Sequence, residues 1–388
     1  MDEGTNMSFS INSIDDVLAI PEDTDASPDA WVPYLEDRIT EITDRKRSSI
    51  EGREKCLQMY NHVLIAHYTR DEISRRVGEL IPALLKSVKM ESSEKETVLA
   101  LKAIALTIVT DPSDSIYDMV YNPLKRTITD SESSAAKAAA IHTLGVATFY
   151  GGASEDSTKD TMEFFLEIVE SDGNSVEAGD DASVVTAALE EWGFLASQLD
   201  DLEDATEPAM DAFIEQLSSA DPGVQIAAGE NIALLYEKSY TELEEDEEPP
   251  ETSEFEDPDD EDERNGPIMV KRYTVYRRED QLKHELQALA NISGKNISKK
   301  DRKNLHVNFA DILQTVEKPT LGPRYQKAID QETNRSYGSR MKVRVSNKGE
   351  MRIDKWWKLH RLQALRRVLQ GGFVVHYEKN EVVFDTLP

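Results

Sequence analysis

The stretch DDASVVTAALEEWGFLASQL (residues 180–199) decides the fold class. Val185, Ala188, Leu189, Trp192 and Leu199 recur at helical spacing, so one face of a helix is apolar. The stretch DPGVQIAAGENIALLYE (221–237) repeats the design. Asp221 is placed to accept hydrogen bonds from first-turn amides, and Pro222 needs no donor at the first helical position. Val224, Ala228, Ile232 and Leu235 then line one face. The Ala-rich SAAKAAAIHTLGVA (134–147) permits close helix approach.

Outward from these stretches the same spacing runs from Trp31 to Tyr240, broken by Asp, Ser, Gly and Pro. It predicts helices near 31–46, 49–68, 71–89, 93–109, 115–128, 133–149, 158–171, 181–199, 205–218 and 222–239. No strand pattern interrupts them, and helix pairs recur about every 40 residues, which suits armadillo- or HEAT-like stacking. The expected fold is all-α: an armadillo/HEAT-like helical solenoid, an acidic linker, and a basic, mainly helical C-terminal region with short extended pieces. Helices are expected at 276–293, 298–317 and 354–370. In the last, Leu359, Leu362, Leu365 and Leu369 share a face, and Gly371 or Gly372 is expected to supply a left-handed cap. RMKVRVSNKGEMRI (340–353) reads as a hairpin turning at Asn347-Lys348-Gly349, and FVVHY (373–377) and EVVF (381–384) as extended pieces.

The chain has 388 residues and a net charge of −31, unevenly divided. Residues 1–263 carry a net −44 and residues 264–388 a net +13. Residues 242–263 hold 15 carboxylates and no Lys or Arg, a composition that reads as a disordered, self-repelling linker. A solvated spacer is the first reading of it, and a site for a basic partner or a shield over the basic half are the functional alternatives. The expected division is a flexible acidic N-terminus (1–29), a helical repeat domain (30–240), the acidic linker (241–267) and a basic C-terminal domain (268–388).

One cysteine, Cys56, excludes an internal disulfide framework and a multi-cysteine metal site. The acidic start lacks the pattern of a signal peptide, and no run of about 18 apolar residues occurs. Those features point to the cytosol or nucleus and to no membrane partner. Phosphate-cradling glycine loops, HExxH and GxSxG are absent. The seven histidines lack partners at metal-ligand spacing, and Cys56 reads as a buried thiol. The acid pairs Asp180-Asp181 and Glu190-Glu191 read as helix starts or solvent faces. No catalytic residue, metal ligand, cofactor or small-molecule substrate is expected, so the chain is read as no enzyme.

The informative chemistry is electrostatic. KNISKKDRK (295–303) and the run 335–367 combine Lys and Arg with Tyr337, Trp356 and Trp357. Cations neutralise phosphates and aromatic faces stack on unpaired bases, although a positive face folded on the chain's own acidic module has the same composition. The tryptophans read individually as core anchors. The candidate RNA-binding residues are Lys299, Lys300, Arg302, Lys303, Arg340, Lys342, Arg344, Lys355, Lys358, Arg361, Arg366 and Arg367. Arg361 and Arg367 lie off the leucine face and are expected to be free, with Arg366 at its margin.

Five collinear stretches resemble the interferon-related developmental regulator family: KRSSIEGREKCLQMYNHVL (46–64), AALEEWGFLASQL (187–199), VQIAAGENIALLYE (224–237), residues 280–317, and WWKLHRLQALRRVLQGGFVVHYEKN (356–380). The resemblance implies an armadillo-like N-terminal domain, no enzymatic activity, and association with translationally inactive ribosomes or with transcriptional co-regulation. In the ribosomal role it implies that the C-terminal helices, here 298–317 and 354–370, occupy the tRNA/mRNA path. The dense acidic linker and His306-Val307-Asn308 depart from the family's pattern. Two functions follow as expectations. One is a ribosome-associated regulator contacting ribosomal RNA and basic ribosomal proteins. The other is a nuclear scaffold binding regulatory proteins on the solenoid's concave face.

Overall fold

The computed structural model describes residues 30–45, 48–244, 247, 268–292, 298–329, 336–345 and 349–388. Most of the expected acidic linker, and the turn residues Asn347 and Lys348, lie outside the described residues.

Eleven helices form the repeats: α1 Trp31–Asp44, α2 Ile50–Ala66, α3 Arg70–Ile73, α4 Val77–Met90, α5 Glu94–Thr110, α6 Ile116–Asp130, α7 Ser134–Tyr150, α8 Glu155–Glu170, α9 Ala182–Ala196, α10 Glu203–Gln216 and α11 Pro222–Lys238. The helix expected at 71–89 is two, because the chain turns between Ile73 and Val77. The expected all-α helical repeat architecture is the one observed. Helices α2, α5, α7, α9 and α11 stack on one another as an inner layer, with α1, α4, α6, α8 and α10 outside.

Each inner helix starts with a side-chain cap that satisfies first-turn amides: Ser49, Ser93, Ser133, Asp181 and Asp221. Polar side chains then tie successive inner helices together. Asn61 Nδ2 donates to the Leu99 carbonyl at 3.0 Å, Thr143 Oγ1 to that of Leu101 at 3.1 Å, and Asn231 Nδ2 to that of Leu189 at 2.9 Å. Helices α5, α7, α9 and α11 are buried over most of their surface, whereas α2 and the outer helices bury one stripe. Something must therefore cover the inner face.

The C-terminal region does so. Strands β1 (Tyr240–Glu242) and β2 (Met269–Lys271) pair antiparallel, which brings together the two ends of the acidic segment. Helices α12 (Glu279–Ala290) and α13 (Lys299–Glu317) pack as a hairpin, with α13 against α11. Two antiparallel ribbons follow, β3 (Tyr325–Ile329) with β4 (Ser336–Ser339) and β5 (Lys342–Arg344) with β6 (Glu350–Arg352). Helix α14 (Trp356–Leu369) lies against α9 and α11. The chain then runs back toward the first repeats as α15 (Phe373–Lys379) and α16 (Glu381–Thr386). His376 Nε2 is hydrogen-bonded to the Leu64 carbonyl at 2.8 Å, and Asn380 Nδ2 donates to that of Val109 at 2.9 Å.

Two local expectations are corrected here. FVVHY and EVVF are helical, because Asn380 caps α16 through the Val382 amide, α16 packs on α5, and α15 is tied to α2 through His376 instead of joining a sheet. At the end of α14 the positive φ belongs to Gln370 (48°), not to a glycine. Gly372 is needed for a different reason: a Cβ there would stand 1.9 Å from the Ile65 carbonyl oxygen. One contiguous apolar core includes Leu35 at one end, Trp192 in the middle, and Leu365 and Leu387 from the C-terminal region.

Candidate nucleic-acid interface

The twelve candidate cations divide into those the fold consumes and those it displays. The consumed ones face a polar seam along the inner layer. Nine and ten residues after their caps, α7, α9 and α11 carry His142-Thr143, Glu190-Glu191 and Glu230-Asn231, so stacking brings these side chains into register. Arg367 of α14 enters this seam. Its guanidinium donates to Glu191 Oε1 at 2.7 Å and lies 3.4 Å from Glu190 Oε2. Glu191 Oε1 is also 2.8 Å from His142 Nδ1. Glu191 is thus a buried ion-pair member, not the solvent-facing acid the sequence suggested. Burial raises its proton affinity, but Arg367 and His142 outweigh that and hold the carboxyl below its ordinary pKa.

Arg361 is equally committed. Its Nε donates to Ser197 Oγ and its NH2 to the Ser197 carbonyl, both at 3.0 Å, and NH1 reaches the Thr386 carbonyl at 3.2 Å. The expectation that Arg361 and Arg367 are free is therefore corrected: the side of α14 that lacks leucines is turned onto the repeats. Two glycines admit the C-terminal helices, Gly193 for α14 and Gly229 for α13. A Cβ at Gly193 would stand 2.5 Å from His360 Nδ1, and one at Gly229 would stand 2.7 Å from Ile312 Cδ1 of α13.

The seam also positions the start of α14. Glu237, at the end of α11, accepts the Trp356 amide on Oε2 at 2.9 Å and the Trp357 amide on Oε1 at 3.1 Å. A carboxylate from another helix thus caps α14, where the helix dipole favours negative charge. Burial raises the Glu237 pKa, against the opposing pull of Lys355 and the two amides. Trp356 is buried and donates from Nε1 to Thr315 Oγ1 at 2.8 Å, an anchor as expected, while Trp357 is half-buried beneath Arg361. Two further buried titratable groups lie nearby, His360 Nε2 donating to the Glu230 main-chain carbonyl at 3.4 Å. Burial pushes the Glu230 carboxyl up to about 7, and burial pushes the His360 imidazole down to about 4.

The displayed cations lie elsewhere. Lys299, Lys300 and Lys303 are exposed on the first turns of α13 and Arg302 is half-buried there; none makes an ion pair among the described residues. Arg340, Lys342 and Arg344 are exposed along the β4–β5 segment, with Lys342 3.1 Å from Glu350. Lys355 is half-buried beside Glu237, Lys358 is 3.4 Å from Asp354, and the half-buried Arg366 lies over the Phe373 ring. The structure therefore separates two groups of exposed cations, one on α13 and one on the ribbon, from α14. Sequence reasoning missed the carboxylates Glu190, Glu191, Glu230 and Glu237. For Glu190, Glu191 and Glu230 the equivalent placement in successive repeats was the available signal; Glu237 has no such equivalent.

Among the described residues no group of His, Cys, Asp and Glu is arranged to hold a metal ion, and no helix is long and apolar enough to cross a membrane. Cys56 is buried, with its thiol pushed up to about 12 by desolvation and by neighbouring Glu41.

The family model for interferon-related developmental regulators matches residues 3–317, from before α1 to the end of α13. The chain belongs to that family. Similar relatives include an uncharacterized protein of Schizosaccharomyces pombe, 28% identical over 359 residues, which cover 91% of this chain and 73% of the relative. Interferon-related developmental regulator 1 of Mus musculus is 24% identical over 347 residues, covering 86% of this chain and 67% of the relative. The Homo sapiens protein of that name is 23% identical, covering 86% and 66% respectively. In this family member, α14 and the carboxylates it engages fall on either side of the end of the family match at residue 317.

Proposed function

We propose that this protein is a non-enzymatic, ribosome-associated regulator that represses translation or marks inactive ribosomes, acting in the cytoplasm. Its basic C-terminal region contacts ribosomal RNA near the tRNA/mRNA path, and its acidic repeats face basic ribosomal proteins. The observation that carries this reading is the set Lys299, Lys300 and Lys303: exposed, adjacent, and without a carboxylate partner among the described residues of a chain with 75 acids. In such a chain, unneutralised cations point to an anionic partner such as a phosphate backbone. Arg302, Arg340, Lys342, Arg344, Lys355, Lys358 and Arg366 are proposed as supporting contacts. Arg361 and Arg367 act instead by fixing α14.

The alternative is a nuclear scaffold and transcriptional co-regulator that holds peptides on the concave face. Coverage of α9 and α11 by α13 and α14 weighs against it, because a peptide would first have to displace the chain's own helices.

Cosedimentation of the full chain with purified ribosomes tests the proposal, at low and moderate salt. The chain is expected to bind, and a K299E/K300E/K303E variant to bind more weakly with less salt dependence. Point variants are the cleaner test, because removing residues beyond 267 would uncover the inner face. Failure of the full chain to bind at low salt would reject the ribosomal reading.

A further inference from the structure

The β5–β6 ribbon carries an arrangement that folding does not explain. Its register sets Lys342 directly opposite Arg352, and Arg344 opposite Glu350. All four side chains are exposed, while Val343 turns to the other face and is buried. Like charges directly opposed across a strand pair are destabilising. Glu350 answers Lys342 at 3.1 Å, but the Arg352 guanidinium has no hydrogen bond or ion pair among the described residues. It lies over β4, with NH1 3.9 Å from where a Cβ on Gly338 would stand. Arg340, also exposed, extends the face toward β4.

We infer that this face of the ribbon is a phosphate-binding surface for the backbone of duplex RNA, with Arg352 as a contact residue. The inference deepens the ribosomal reading and rests on it. Neighbouring positions on one face of such a ribbon are about 5 Å apart across the strands and roughly 7 Å apart along them. The cations thus form a compact group with a single carboxylate, Glu350, on that face of the ribbon among the described residues. The exposed side chains here are Arg340, Lys342, Arg344, Glu350 and Arg352, with no exposed apolar or aromatic residue among the described ones. A protein partner would be expected to need a desolvated apolar centre, whereas phosphate contacts need only cations and carry no sequence information. Duplex RNA suits such a face, since it is recognised mainly by shape and by backbone contacts.

The test uses the full chain and the substitution R352E, which sets an opposite charge against Lys342 and so should not destabilise the ribbon. Binding to an RNA hairpin duplex of about 20 base pairs is measured from roughly 50 to 300 mM KCl. R352E is expected to keep the thermal midpoint, to bind about tenfold more weakly at moderate salt, and to reduce the slope of log affinity against log salt by about one. If R352E matches the unsubstituted chain in affinity and slope while K299E/K300E/K303E binds weakly, the ribbon proposal fails and the ribosomal reading stands. If the unsubstituted chain binds neither the duplex nor ribosomes, both fail. If it binds poly-glutamate better than the duplex and R352E abolishes that, the partner is an acidic polypeptide and the RNA assignment is overturned.

Discussion

The Arg367 guanidinium donates to the Glu191 carboxylate at 2.7 Å, joining residues 176 positions apart in the chain. Glu191 is fully buried and the Arg367 side chain is only 15% exposed, so the pair makes α14 part of the repeat domain's interior. Removing one member strands a charge in a medium that cannot solvate it, which typically costs about 3–5 kcal/mol. E191M and R367M are each expected to lower stability in that range. The double variant is expected to lose less than the sum of the two by about 1–3 kcal/mol. Chemical denaturation of all four proteins checks this, and additive losses would mean that the pair is not coupled.

Gly193 and Gly229 make a second, steric prediction. G193A would drive a methyl into the His360 ring and the Asn231 amide, and G229A into Ile312 and Phe309. Each is expected to destabilise by about 1–3 kcal/mol, the usual range for overpacking a core. A Cβ at Gly78, inside α4, would meet nothing within 4 Å, so G78A should stabilise by about 0.4–1 kcal/mol through the unfolded chain. Opposite shifts in thermal midpoint are the readout. Destabilisation by all three would show that close approach at Gly193 and Gly229 is not the cause.

Glu230 and His360 should tilt the pH dependence of stability in opposite directions. Glu230 rises from an ordinary 4.5 to about 7, so between these values the folded chain holds a proton that the unfolded chain has lost, and stability falls as pH rises. His360 drops from 6.5 to about 4, so there the unfolded chain holds the extra proton, and stability rises with pH. The two effects largely offset each other between about pH 4.5 and 6.5. E230Q should expose the His360 effect, a stability that climbs over that range, and H360Q the Glu230 effect, a stability that declines up to about pH 7. Each tilt should be on the order of 3 kcal/mol. Urea midpoints at several pH values decide it, and parallel curves for both variants would refute the opposition.

The repeats were legible because their signals are local: Ser133, Asp181 and Asp221 mark helix starts, and the apolar residues behind them keep a helical period. What covers the inner face was not legible, because it depends on contacts between residues more than a hundred positions apart, such as Glu237 with Trp356. An exposed basic helix and one docked on buried glutamates have the same composition. Arg361 and Arg367 therefore read as available although the fold has used them. FVVHY carries β-branched and aromatic residues that favour a strand in isolation, but burial of Phe373 and the His376 bond to the Leu64 carbonyl overrode that preference.

That division of the cations gives the final prediction. Lys300 is exposed and unpaired among the described residues, whereas Arg361 holds Ser197 and the Thr386 carbonyl. K300A should leave the thermal midpoint within about 0.5 kcal/mol of stability and reduce the salt dependence of ribosome binding by about one contact. R361A should do the reverse: it removes three hydrogen bonds that fasten α14 to α9 and to the end of α16, so the midpoint falls. Below that midpoint its salt slope should match the unsubstituted chain, because Arg361 has no free donor face to offer a phosphate. Measuring both quantities on both variants separates the roles. A reduced salt slope in R361A at unchanged stability would return Arg361 to the RNA contacts and show that its hydrogen bonds to Ser197 do not hold it in place.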